Sequence, residues 1–164
     1  MLLLSETSTC GSIKLRELLS RYRLEFSLLP IDADIPGSHW GAPEAGLIGS
    51  TLYARPDTPL HSILHEACHF VCMDASRRRT LNTDASGSAI EESAVCYLSI
   101  LLSDQLPEFQ RSAMFTDMDA WGYSFRLGSA GRWFNEDAED AQQWLLEQGL
   151  VDPDNQPSWN LRGT

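Results

Sequence analysis

The chain has 164 residues, of which 43% are apolar and 21% charged, and its formal net charge is −11. That length suits one domain able to bury a core without disulfides, and that composition excludes disorder as a global state. So negative a surface repels phosphate, which disfavours nucleic acid and anionic membranes as partners, and no stretch approaches the roughly 20 apolar residues of a membrane span.

Met1-Leu2-Leu3-Leu4-Ser5-Glu6 lacks the basic region and apolar length of a secretion signal. The expected location is cytoplasmic. The cysteines Cys10, Cys68, Cys72 and Cys96 do not form a secreted disulfide framework. Residues 1–10 are expected to be loosely ordered. Apolar spacing from Ile13 to Tyr22 predicts a helix with Ser12 as its cap. Leu24 to Leu29 alternates and stops at Pro30, which predicts a strand. Residues 32–46 are rich in Pro, Gly and Asp and read as a long connection, of the kind that serves as a functional loop.

Leu47 to Arg55 predicts a second strand. A helix then begins after Asp57 or Thr58, with Pro59 in its first turn and apolar positions at Leu60, Ile63, Leu64, Ala67, Phe70 and Val71. Residues 75–88 are polar and read as a loop, with Arg77-Arg78-Arg79 as a solvated charge run. Ala89 to Leu102 is the most apolar helix, closed off near Pro107. Two further helices are expected, about Thr116 to Ala130 and one capped by Asn135 and ended by Gly149. Residues 115–150 then form a C-terminal helical layer. Trp121, Tyr123, Phe125, Trp133, Phe134 and Trp144 are expected in its core. The fold expectation is α+β: one domain over residues 1–164, a small twisted sheet packed on helices, with a cleft between them.

His65-Glu66-Ala67-Cys68-His69 fits H-E-x-x-H and falls on a helix that the apolar pattern predicts independently. Residues four apart share a helix face, so both imidazoles can reach one ion. Zinc accepts such nitrogens and in catalytic sites takes three protein ligands plus water. Glu66 lies about 100° round the helix from His65, beside the metal, where a base for that water belongs.

The third ligand has to come from elsewhere. His61 shares the stripe but would spread three rings over two turns; it suits the cleft rim or solvent. His39 lies in the Pro/Gly loop. Cys68 and Cys72 extend the stripe, yet four ligands on one straight helix cannot surround an ion, so buried packing is expected of them. Glu91-Glu92 opens the next helix, where the dipole also favours acids. Glu91 shares its face with Ala94 and Val95 and is the preferred ligand; Glu92 is the alternative.

A histidine-pair helix followed by a glutamate helix resembles the gluzincin metallopeptidases, the thermolysin-like group, over roughly Leu47 to Leu102. Their ligand glutamate stands in a pattern of Glu, two variable residues, a small residue, then Asp or Asn. Glu91-Glu92-Ser93-Ala94-Val95 matches the first and fourth places and departs at Val95. Some group other than residue 95 then has to orient a histidine. The resemblance also implies that the strand before the motif lines the cleft and pairs with an extended peptide. Cys72 stands where the longer metzincin motif has Gly.

These readings converge on a zinc-dependent hydrolase, a metallopeptidase in which His65, His69 and Glu91 hold Zn2+ and Glu66 activates the bound water. Tyr97, Tyr123 and Arg126 are candidate oxyanion donors. The expected partner is a peptide or protein substrate, with no nucleic acid and no membrane. The alternative is a catalytically silent zinc-binding domain acting through a protein partner.

Overall fold

A computed structural model describes residues 1–164. Two helices organise it. Helix α2 (Leu60–Cys72) and helix α4 (Ala89–Ser103) lie against each other, and most of their residues are buried. Leu64, Leu98 and Leu102 are fully enclosed between the layers, each contributing about 1.5–3 kcal/mol by burial. Helix α1 (Thr9–Arg21) leads into the sheet, α3 (Ala75–Arg79) is a short turn of helix between α2 and α4, and α5 (Arg111–Trp121), α6 (Ala130–Glu136) and α7 (Glu139–Glu147) form the C-terminal layer. Of these, α5 and α7 pack on α4.

The sheet has three strands in the order β1 (Glu25–Leu28), β3 (Thr51–Ala54), β2 (Gly46–Ile48). β1 runs parallel to β3, and β2 is antiparallel to it. The single strand expected over residues 47–55 is therefore a hairpin. Gly49, at φ 58°, makes the turn that the apolar run conceals. The outer edge of β2 is already taken. Leu47 donates its N–H to the Gly37 carbonyl, and its own carbonyl accepts from Thr83 N–H. The expected pairing of this strand with a peptide is corrected on that ground, because its outward-facing backbone groups are used within the chain.

The approach of Gly37 to β2 also anchors the long connection. A Cβ at Gly37 would run into the Leu47 backbone, and one at Gly46 into the Pro36 carbonyl. Arg55 secures the same segment by donating to the Ala33 carbonyl at 3.0 Å while pairing with Asp57. At its end, Ala45 N–H donates to the Ser62 hydroxyl of α2 at 3.0 Å.

Several local expectations change. Residues 1–8 are tied down: Leu4 N–H donates to Thr58 O, Leu60 N–H donates to Leu2 O, and Leu4 is buried. The cap of α1 is Ser8, whose hydroxyl accepts from Gly11 N–H. Neither Asp57 nor Thr58 caps α2; Asp57 pairs with Arg55, and Thr58 accepts from Arg55 N–H. Asn135 lies inside α6 rather than capping a helix. The arginine run forms α3 and is not simply solvated. Arg78 donates to the Phe70, Met73 and Arg162 carbonyls, which closes the C-terminal end of α2. No helix is long and apolar enough to cross a membrane.

Candidate metal centre

His65 and His69 project from α2 into a cleft beside the first turn of α4. Their rings meet at 86° with Nε2 atoms 3.1 Å apart. Two nitrogens bound at tetrahedral angle to one zinc ion stand about 3.3 Å apart, so the separation suits a shared ion. It also suits a hydrogen bond between two neutral imidazoles, one Nε2 donating. A third donor stands close by. Glu92 Oε2 lies 3.6 Å from His69 Nε2, and the ligand atoms of His65, His69 and Glu92 all fall within 4.8 Å of one another. Two imidazoles and a carboxylate from two elements form a donor set that fits zinc.

Glu91, the ligand preferred from the sequence, lies outside this three-donor group. Glu91 does point inward and is 3% exposed, as its neighbours on the helix suggest. Its carboxylate is occupied by two guanidinium groups. Arg77 donates to both oxygens at 2.9 Å, and Arg162 reaches Oε2 at 3.2 Å. Glu92, one position on, is turned toward the imidazoles instead. Ser88 caps α4 by accepting from Glu91 N–H, which fixes the first turn that presents both acids.

Burial keeps both imidazoles uncharged. Burial, followed by the neighbouring histidines, holds His65 well below the usual histidine range. Burial lowers His69 to about 4, against the pull of Glu91. Both rings are then neutral at neutral pH, the form that ligates metal. Neither Nδ1 has a hydrogen-bond partner. The Ala85 carbonyl lies near His69 and favours its protonated form without making a bond of normal geometry. No side chain replaces the acid or amide missing at Val95.

Glu66 keeps some surface open to the cleft but is otherwise enclosed by protein. Burial, then Glu44 and Glu92, pushes its carboxyl up to about 8. The cleft has a volume of about 440 Å³. Besides the metal-centre residues its walls come from the two long connections, residues 39–44 and 83–86, and from Trp121 to Tyr123. Arg77 holds the second connection by donating to the Ser86 carbonyl at 2.7 Å.

Among the expected oxyanion donors only Tyr123 lines the cleft, with its ring centroid 5.3 Å from that of His65. Tyr97 stacks on Phe134 and accepts from Asn155, and Arg126 pairs with Asp137 and Asp140 at the surface. Trp133 and Phe134 are core, as expected, whereas Trp121 and Tyr123 belong to the cleft wall. Helix α5 stops at Gly122, φ 98°, and this turns Tyr123 back toward α2. Cys68 and Cys72 are buried and take no part in the cluster.

His61 is neither at the rim nor in solvent. It is fully buried, with Trp121 at 5.1 Å and the Tyr123 hydroxyl 3.4 Å from Nδ1. Burial lowers it from 6.5 to about 4. Between those values the unfolded chain binds a proton that the fold does not, so stability falls as the pH drops through that range. For metal-free protein this ring contributes a loss of about 3 kcal/mol by pH 4. Chemical denaturation at stepped pH should show a shallower acid slope in His61→Gln than in the wild type; an unchanged slope would place the ring's proton elsewhere.

No family model, curated protein or solved structure matches the chain.

Proposed function

We propose that the protein is a zinc-dependent hydrolase, acting as a metallopeptidase, in which His65, His69 and Glu92 hold the ion. The observation that carries this reading is the convergence of those three donors on one point at the floor of an open cleft, with Glu66 beside them. Zinc bound there supplies Lewis acidity, polarising a substrate carbonyl and acidifying a water.

The chain's own residues supply the rest. Glu66 is the one carboxylate in the cleft with no hydrogen bond or ion pair to the protein, so its oxygens are free to take a proton from water. A nearby cation favours its ionised form and so lowers the raised carboxyl pKa. Glu66 then passes the proton to the leaving amine. Tyr123, packed beside His65 in the cleft lining, is the candidate donor to a developing oxyanion, its hydroxyl shared with His61 Nδ1.

The test is zinc content by mass spectrometry after purification without chelator, together with hydrolysis of casein and short peptides. The expected result is about one zinc per chain and a cleavage activity that chelator removes and zinc restores. Bound zinc without hydrolysis of any substrate would favour the silent zinc-binding domain. A protein without zinc that cannot be loaded would end both readings.

A further inference from the structure

Five aromatic rings of this protein carry an arginine over their face: Phe26, Trp159, Phe70, Phe134 and Trp144. The two tryptophans of the cleft, Trp40 and Trp121, carry none, although both are exposed, Trp40 to 80%. Indole is the strongest of the aromatic faces for a cation. Acids stand beside these rings. Trp121 Nε1 donates to Glu44 Oε1 at 3.0 Å, which fixes a carboxylate against the edge of the indole. Asp84 lies on the wall formed by residues 83–86, and no lysine or arginine lines the cleft. His39 is within electrostatic reach of both Glu44 and Asp84, so the two acids flank the same mouth.

From this juxtaposition we infer that the substrate is cationic: a peptide whose lysine or arginine side chain sits against the exposed indoles that line the cleft, Trp40 and Trp121, neutralised by Glu44 and Asp84. This deepens the hydrolase reading and rests on it for the reaction, though not for the binding. Two carboxylates in a walled cleft raise the local concentration of cations and oppose acidic peptides. The indole faces add attraction that a neutral side chain of equal length does not obtain. The side chain is held at the mouth while the backbone beside it reaches Glu66 on the floor.

Binding is measured by calorimetry on full-length Glu66→Gln, zinc-loaded, so that turnover does not intervene. The probes are acetyl-Gly-Gly-Xaa-Gly-Gly-amide peptides with Lys, Arg, norleucine or Glu as Xaa. The Lys and Arg peptides should bind roughly tenfold more tightly than norleucine, and the Glu peptide should bind most weakly. Glu44→Gln, Asp84→Asn and Trp40→Ala should each erase most of that preference with zinc content unchanged, and added salt should reduce it. Equal affinity for Lys and norleucine, or a preference for Glu, overturns the inference. Binding of the Lys peptide without its cleavage by the wild type leaves this inference standing and removes the hydrolase reading. Cleavage of neutral peptides as fast as basic ones does the reverse.

Discussion

Replacing Glu92 by alanine should empty the metal centre and leave the fold intact, whereas replacing Glu91 should do the opposite. The two residues are adjacent in the first turn of α4, and both are acidic, yet their surroundings differ completely. Glu92 offers its carboxylate to the imidazole pair and otherwise accepts only from Gly87 N–H. Its removal takes one of three ligands, which weakens zinc binding roughly a hundredfold, and forfeits a helix-start charge worth less than about 1 kcal/mol. Glu91 is the centre of a buried ion cluster that joins α4 to α3 and to the C-terminal segment. Breaking a fully buried pair costs about 3–5 kcal/mol. Arg77 and Arg162 are 35% and 26% exposed and can recover water, so Glu91→Ala should cost about 2–3 kcal/mol. In a chain of this size that lowers Tm by roughly 5–10 °C. Zinc analysis after dialysis and thermal unfolding of both variants separate the roles. If Glu91→Ala lost its zinc without losing stability, the assignment would be reversed.

How far the sequence could be read depended on the range of the forces involved. The buried helices α2 and α4 were legible because burial of a helix face writes a period of its own into the chain. The histidine pair was legible for the same reason, since its spacing is set by one helix. The choice between Glu91 and Glu92 was not. Burial of residue 91 followed correctly from its small and apolar neighbours, but what it meets includes Arg162, which lies 71 residues away in the chain. No local pattern distinguishes a buried ligand from a buried ion-pair partner. Helix α3 was illegible because it has no apolar face: Asp74 caps it by accepting from Arg77 N–H, and its arginines bind carbonyls and Glu91 from other segments. The β2–β3 hairpin was hidden because strand residues flank Gly49 on both sides.

The cleft walls show the same limit. The Pro- and Gly-rich connection of residues 32–46 stood out by its length and does reach the cleft, with His39, Trp40 and Glu44. Nothing in its composition announced that glycine contacts with β2 would anchor it there. The apolar spacing carries a helix straight through Gly122 and so puts Trp121 and Tyr123 in the core. Once that glycine ends α5, the aromatic residues after it face a different layer from those before it. Termination, rather than hydrophobicity, decided their role.

The largest kinetic effect should come from Glu66→Gln. This substitution preserves shape and removes the ability to accept a proton, and a positioned general base contributes typically about 10²–10⁴-fold. We expect kcat to fall by that factor, with zinc content unchanged because Glu66 is not among the three converging donors. The reason Glu66 rather than Glu44 or Asp84 should dominate is positional. Glu44 already accepts from Trp121, and Asp84 is engaged by the Ser86 hydroxyl and backbone N–H. Glu66 alone has no such partner and sits next to His65 on the same turn of α2, and its enclosure pushes its carboxyl up to about 8 before any cation is bound. A bound cation lowers it from there, which leaves an ionised carboxylate able to accept a proton. Steady-state kinetics with zinc quantified on the same samples would check this; a Glu66→Gln protein that cleaves peptide at the wild-type rate would assign the proton transfer to another group and leave the buried carboxylate without a chemical reason.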